Sequence, residues 1–333
     1  MTNATGTLRA LLLCLILTTG AGTAGALEIA REDVRAFSEE MQKKHGFDAA
    51  WIDGVLANAV SQPRIIERIS KPAEKVLTWH RYSDLMLTDE RIAAGVQFWT
   101  EHRERLAAIE RETGVSQHVI IGILGVETYF GRITGKDRVL DALATLAFDY
   151  PPRASYFRTE LEQFLLLARE EQLDVATALG SYAGAMGRAQ FMPSSYRAYT
   201  VDGDGDDRRD LWGSWDDVIA SIANYLAKHG WRAGEPIVAD AGLWFPVVSG
   251  ITPGALAPDT TVKTLHDRGL RFDTSLDGKA PAVFIRVDAE AGPELRAGFH
   301  NFGVITRYNR SVLYGLAVHD LGRRIESLVP AAP

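Results

Sequence analysis

From Val119 to Gly131 the chain reads Val-Ile-Ile-Gly-Ile-Leu-Gly-Val-Glu-Thr-Tyr-Phe-Gly, an apolar stretch in which Glu127 is the one charged residue. At helical spacing Ile120, Ile123, Leu124 and Glu127 share a face, so this stripe must lie against a core and it carries a carboxylate to its end. Desolvation by the apolar face pushes the pKa of such a glutamate upward. So does the negative end of the helix dipole if Gly131 closes the helix. A glutamate protonated near neutral pH can donate to a leaving oxygen, and the position predicts an acid catalyst. The competing reading is a helix-end glutamate that reaches solvent or pairs with Arg132, because buried acids are usually paired.

The first residues read as a secretory signal. Met1 to Arg9 carries one positive charge, an apolar run through Leu17 follows, and Ala24-Gly25-Ala26 is a small-residue cleavage site. Cleavage near Ala26 gives a mature chain from Leu27, exported to the periplasm, and the apolar run is too short to remain as a membrane span. Cys14, the single cysteine, lies inside that run. The mature protein is therefore expected to use neither disulfides nor a thiol nucleophile, and about 300 residues bury a core without covalent help. The formal charge of −7 falls to −8 when Arg9 leaves with the signal, an acidic balance that argues against a nucleic-acid partner.

Helical periodicity dominates from Ile29 to about Trp231. One amphipathic stretch opens at Asp89 and runs through Arg111, another spans Ala154 to Glu171, and turns fall at Thr113-Gly114, Tyr150-Pro151-Pro152 and Gly180. After Gly234-Glu235-Pro236 come short β-prone runs, Leu243 to Val248 and Ala282 to Val287, between Pro and Gly clusters. Helical spacing returns at Ser311 to Val318. The expected division is a signal at 1–26, an α-helical domain at 27–234, a small strand-containing subdomain at 235–295, and a segment at 296–333 whose helix packs back on the first domain. The fold class is mainly α with a small β-containing part.

Two further segments carry chemistry. Gly180 to Tyr196 places three glycines among polar and aromatic residues, with Ser181 and Gln190 offering neutral hydrogen bonds beside aromatic faces, which suits a sugar. The alternative is a Gly-rich turn between helices. Asp202-Gly203-Asp204-Gly205-Asp206-Asp207-Arg208 sets carboxylates at alternate positions of a tight loop, a spacing that fits calcium. Asp207 stands where an EF-hand has glycine and Gly213 where it has glutamate, so Asp216 or Asp217 would have to close the site. A solvated acidic turn is the other reading. The eight histidines are scattered, and neither a zinc-binding His-Glu-x-x-His nor a Gly-x-Ser-x-Gly elbow occurs.

Taken in order, Gly125-Val126-Glu127-Thr128, Gly135-Lys136, Leu140 to Leu146, Gly180 to Gly187, Gln190 to Tyr196, Ala223-Asn224-Tyr225-Leu226, His229-Gly230-Trp231, Asn301-Phe302 and Thr306-Arg307-Tyr308-Asn309 resemble the lytic murein transglycosylase B family over roughly Ile29 to Leu321. The resemblance implies a lysozyme-like α core with a small β-containing subdomain, acting on the glycan strands of peptidoglycan. It implies Glu127 as the sole catalytic acid/base, and Ser181, Gln190, Tyr225, Arg153 and Tyr308 as substrate-binding residues. Pro152 stands where the first of a pair of arginines is expected, which unsettles part of the peptide contact. The resemblance also implies a structural calcium held by Asp202, Asp204, Asp206, the Arg208 carbonyl and Asp217. No organic cofactor is implied, and cell-wall synthesis proteins are the class of protein partner.

The implied reaction cleaves the β-1,4 bond between N-acetylmuramic acid and N-acetylglucosamine and forms 1,6-anhydromuramic ends without adding water. Glu127 is acid and then base. A muramidase that hydrolyses the same bond is one alternative, and Asp137 or Asp141 could supply the second carboxylate most glycosidases need. A non-catalytic peptidoglycan-binding or scaffold protein is the other.

Overall fold

The computed structural model describes residues 24–71, 77–243 and 254–331. The apolar leader with Cys14 lies outside the described residues, as does the β-prone run beyond Leu243.

The apolar stripe forms the helix Gln117–Thr128, in which every residue from Val119 to Gly125 is buried. Its partner across the core is the helix Val312–Glu326, started by Ser311, whose side chain accepts the Tyr314 N–H. Their backbones touch at Gly122, where a Cβ would stand 2.1 Å from the Val318 carbonyl oxygen. Only glycine permits that approach. The amphipathic helix Trp215–Lys228, which Ser214 caps through the Asp217 N–H, packs against the first of these two helices, and the fully buried helix Val139–Phe148 packs on the long Ala154–Glu170. The stretch expected as one amphipathic unit from Asp89 is two helices, Asp89–Glu101 and Arg103–Thr113, broken at His102.

The strand-containing part is a five-stranded antiparallel sheet in the spatial order Thr260–Thr261, Pro281–Ala289, Gly292–Phe299, Val238–Leu243, Leu270–Arg271. Its central hairpin pairs Ala282 with Phe299 and Ala289 with Gly292. The pairing carries the strand four residues past the boundary expected at 295, to the point where Phe299 opens the helix His300–Tyr308. Side chains alternate between two buried environments. Val283, Ile285 and Val287 join the main helical core, while Ala282, Phe284 and Phe299 form a second core with Val262 and Leu265 of the helix Val262–Asp267. Both faces are covered, which is why this run is apolar almost throughout rather than alternating. Arg296 pins the sheet to the last helix by reaching both oxygens of Asp320, at 2.7 and 2.8 Å. Among the described residues no helix is long and apolar enough to cross a membrane.

Candidate active site

Glu127 occupies the last turn of the helix Gln117–Thr128, partly exposed while Leu124 and Thr128 on either side are buried. The sequence suggested Gly131 as the stop. The helix instead ends at Tyr129, which takes the left-handed conformation (φ 50°, ψ 51°), followed by Phe130 at φ 56° and Gly131 at φ 79°. The Tyr129 and Phe130 N–H groups return to the Gly125 and Leu124 carbonyls at 3.2 and 3.1 Å. Left-handed tyrosine and phenylalanine are unfavourable on their own and persist because neighbours hold them. Arg91 and Arg132 lie over the Tyr129 ring at 4.8 and 4.7 Å. Phe130 stacks on Phe98, and Phe98 meets the edge of Trp215.

The Tyr314 hydroxyl, from the last helix, donates to Glu127 Oε1 at 2.7 Å. Tyr308 stacks nearly parallel to Tyr314 with centroids 6.4 Å apart, and its own hydroxyl donates to the Ala189 carbonyl at 2.6 Å. Burial, and after it the charge of Glu127, holds both phenols well above the ordinary tyrosine pKa, so they remain neutral donors. Tyr225 meets Tyr308 edge-on at 4.9 Å and donates to the Arg307 carbonyl at 2.8 Å. Burial pushes its pKa up in turn, with Tyr199 the next cause. Phe191 completes the aromatic wall, 5.6 Å from Tyr225 and 5.5 Å from Tyr308.

The Gly-rich segment folds over the end of the Glu127 helix. Its Arg188 carbonyl accepts the Thr128 hydroxyl at 3.0 Å. Ser181 Oγ accepts the N–H groups of Ala183 and Ala185, which closes the loop on itself. Gln190, at φ 51°, spends its amide NH₂ on the Thr134 and Gly187 carbonyls and keeps its side-chain oxygen for another donor. The loop presses so closely on the turn after the Glu127 helix that a Cβ on Gly135 would fall 1.9 Å from the Gly180 oxygen. Arg153 is exposed and lies over the rings of Tyr156 and Phe157 at 4.3 and 5.1 Å.

Neither alternative acid is available. Asp137 is buried and ion-paired to Arg64 at 2.5 Å and Arg68 at 3.5 Å. Asp141 is held by Arg138 at 2.9 and 2.5 Å and by the Val60 N–H.

In the acidic loop Asp202, Asp204 and Asp217 bring ligand oxygens within 4.8 Å of one another. Asp217 accepts the Gly203 and Asp210 N–H groups at 2.7 and 2.6 Å, and burial, with Asp204 and Asp202 beside it, raises its pKa. Like charges gathered around a buried carboxylate are what a hard cation relieves, and the all-oxygen donor set fits calcium. Asp206 lies outside this trio. Its carboxylate accepts the N–H of Arg208, and both residues are exposed.

Sequence reasoning missed Tyr314, Tyr199 and the arginines on Asp137. Tyr314 falls within the Ser311 to Val318 stretch of helical spacing, and nothing local distinguishes it from a core tyrosine.

A carboxylate at the end of a buried helix, an aromatic cleft with neutral polar groups, and a lysozyme-like α core with a small sheet together define an enzyme of glycan strands. The chain belongs to the transglycosylase SLT domain family, whose model matches residues 30–323. It is 38% identical over 302 residues to the membrane-bound lytic murein transglycosylase B of Escherichia coli strain K12, covering 88% of this chain and 82% of that one. It is also similar to the catenated lytic transglycosylase SltB1 of Pseudomonas aeruginosa (44% identity, TM-score 0.85, 90% of this chain and 99% of that one). A third relative is the Escherichia coli lytic transglycosylase Slt35 in complex with calcium (37% identity, TM-score 0.82, 91% and 96%).

Proposed function

We propose that this protein is a peptidoglycan lytic transglycosylase in which Glu127 acts as acid and then as base. One observation carries the reading. Glu127 stands in an aromatic cleft with a phenol hydroxyl on its carboxylate, while the two acids nearest in sequence are committed to arginines. A two-carboxylate hydrolase needs its second carboxylate roughly 5–10 Å away across the scissile bond. A transglycosylase does not.

Glu127 protonates the β-1,4 oxygen between N-acetylmuramic acid and N-acetylglucosamine, and the substrate's N-acetyl oxygen supports the charge developing at C1. The resulting Glu127 carboxylate takes the proton of the muramic C6 hydroxyl as that oxygen bonds to C1. One C–O bond breaks, one forms, and the proton returns to the glutamate without water. Desolvation along the apolar stripe favours the neutral acid of the first step; the Tyr314 hydroxyl favours the carboxylate of the second. Tyr225, Tyr308, Ser181 and Gln190 hold the sugar so that its C6 hydroxyl is in line with C1. Arg153 meets the lactyl or peptide carboxylate.

Asp202, Asp204 and Asp217 would hold a structural calcium, with Asp206 and the Arg208 carbonyl at the rim of the loop. When bound, the cation neutralises the clustered charge and fixes the loop against the Trp215–Lys228 helix. The signal at 1–26 places the enzyme in the periplasm. The helical unit from 27 to 234 carries Glu127 and the Gly-rich loop, and the C-terminal helices complete the cleft with Tyr308 and Tyr314.

Mass analysis of the products released from purified sacculi tests the reading. The expected result is anhydro-muropeptides, one water lighter than hydrolytic products, from the wild type and not from Glu127→Gln. Reducing-end products would establish a muramidase, and undiminished function in Glu127→Gln a binding protein.

A further inference from the structure

A cavity of about 540 Å³ that the catalytic scheme does not use opens at the C-terminal end of the helix Ala154–Glu170, beside the turn that joins the helices Glu32–His45 and Ala49–Asn58. Gly46 makes that turn by taking the left-handed conformation at φ 66°. Asp48 starts the second helix by accepting the Trp51 N–H at 2.8 Å. The turn sets Phe47 and Trp51 ring on ring, with centroids 5.2 Å apart and planes within 9°. Phe47 is buried, the Arg169 guanidinium lies over it at 4.4 Å, and Arg169 is itself fixed by donating to the His45 carbonyl at 2.9 Å. One face of the indole is spent on Phe47, yet Trp51 stays 40% exposed.

Another wall is the turn from Gln172 to Val175. Gln172 is held left-handed at φ 54°, and its side-chain amide has no hydrogen-bond partner among the described residues. A non-glycine residue persists in that conformation only where its neighbours impose it. Asp174 shapes the turn by accepting the Ala176 N–H and the Thr177 hydroxyl, each at 2.8 Å. The cavity thus combines a flat apolar ring, an uncommitted amide, two carboxylates and a guanidinium. This mixture suits a pyranose, which has an apolar C–H face to lie on a ring and a rim of hydroxyl and acetamido groups to donate and accept. A strongly anionic ligand would meet Asp48 and Asp174. An apolar protein segment would bury these polar groups without partners.

We propose that this cavity is a second saccharide site, separate from the Glu127 cleft, in which a pyranose of the glycan strand stacks on Trp51 and bonds to Gln172 and the flanking carboxylates. The proposal rests on the reading of the protein as a peptidoglycan-cleaving enzyme. The same strand can reach both places, because only six Cα steps separate Val175 from Ser181 of the Gly-rich loop, a span of at most about 22 Å. A polymer held at two points binds more tightly than at either alone, and the chemistry at Glu127 is unaffected.

Two measurements test this on the full mature protein. The first follows the indole N–H resonance of Trp51, identified by its absence in Trp51→Phe, while peptide-free glycan strands are titrated into Glu127→Gln to suppress cutting. The resonance should shift saturably, and should need a higher strand concentration when Gln172→Ala is added. A Trp51 resonance indifferent to the strands overturns the proposal, and a shift caused only by an apolar peptide would make the face a protein-docking surface instead. The second compares kinetics on sacculi. Trp51→Ala, shown by its melting temperature to be folded, should raise the apparent KM about two- to tenfold at unchanged kcat, and Trp51→Phe, which keeps a flat ring, should recover most of the loss. An unchanged KM in Trp51→Ala, or a fall in kcat in its place, also overturns the proposal. Because the resonance needs no turnover, it decides the site even if wild type releases nothing from sacculi, a result that would instead sink the lytic reading.

Discussion

Glu127 and Tyr314 stand 187 positions apart in the chain, and the Tyr314 hydroxyl donates to Glu127 Oε1 at 2.7 Å. Tyr314→Phe removes this donor and keeps the ring. A hydrogen bond to a charged group is worth about 1.5–3 kcal/mol, so kcat/KM on sacculi should fall by about 10- to 100-fold. Loss of the general acid in Glu127→Gln should cost on the order of 10²–10⁴-fold. The double variant should lose little more than Glu127→Gln alone, because the phenol acts through the carboxylate. Additive losses in that cycle would show that Tyr314 contacts the sugar by itself.

Gly122 sets how closely the catalytic helix and the helix bearing Tyr314 approach. A Cβ there would stand 2.1 Å from the Val318 oxygen, and that atom is backbone, so the helices must separate. Gly122→Ala should cost about 1–3 kcal/mol or more and should loosen the bond between Tyr314 and Glu127. Chemical denaturation measures the first effect, and activity at a temperature where the variant is fully folded measures the second. A variant as stable as the wild type would contradict the packing described.

His118 and His319 lie with ring centroids 6.3 Å apart, and His118 Nε2 and His319 Nδ1 have no hydrogen-bond partner among the described residues. Burial holds His118 down to about 4 and His319 to about 3, with the charge of Arg323 acting in the same direction on both. In the unfolded chain both titrate near 6.5. Below that pH the unfolded state takes up protons that the folded state refuses, so stability is untouched above about pH 6.5 and falls as pH drops toward 4. Each unit of displacement is about 1.4 kcal/mol. Urea unfolding from pH 7 to 4 should show a steep acid limb that becomes shallower in His319→Leu, and an equally steep limb in the variant would assign the acid sensitivity elsewhere.

Calcium should raise the melting temperature. A ligand at a hundredfold its Kd contributes about 2.7 kcal/mol to a protein that binds it only when folded. Asp204 is exposed and accepts the Ser214 hydroxyl, so Asp204→Ala should lose the calcium-dependent part of the shift with little change in the chelated protein. Asp217→Ala should destabilise the chelated protein too, because it strands the N–H groups of Gly203 and Asp210. A melting curve indifferent to calcium and chelator would leave the loop as an acidic turn.

The residues that were legible in the sequence are those whose signal is local. The stripe from Ile120 to Glu127 shows its burial through spacing alone, and the Asp202 loop shows its clustering of acids through alternate carboxylates on a tight turn. Helix and strand texture separated the helical unit from the sheet for the same reason, since periodicity records which face each segment buries. Tertiary structure decided the rest. It ended the Glu127 helix at a left-handed Tyr129, covered by Arg91 from the helix Asp89–Glu101 as well as by Arg132 of the same turn, where local rules favoured Gly131. It committed Asp137 to Arg64 and Arg68, and thereby removed a candidate second acid. It gathered Asp217 with Asp202 and Asp204 and left Asp206 at the rim. Above all it delivered Tyr314 to Glu127, a contact set by two helices whose backbones meet at Gly122. Spacing within a few residues encodes which side chains share a face; the closure of two distant segments on each other depends on every surface between them.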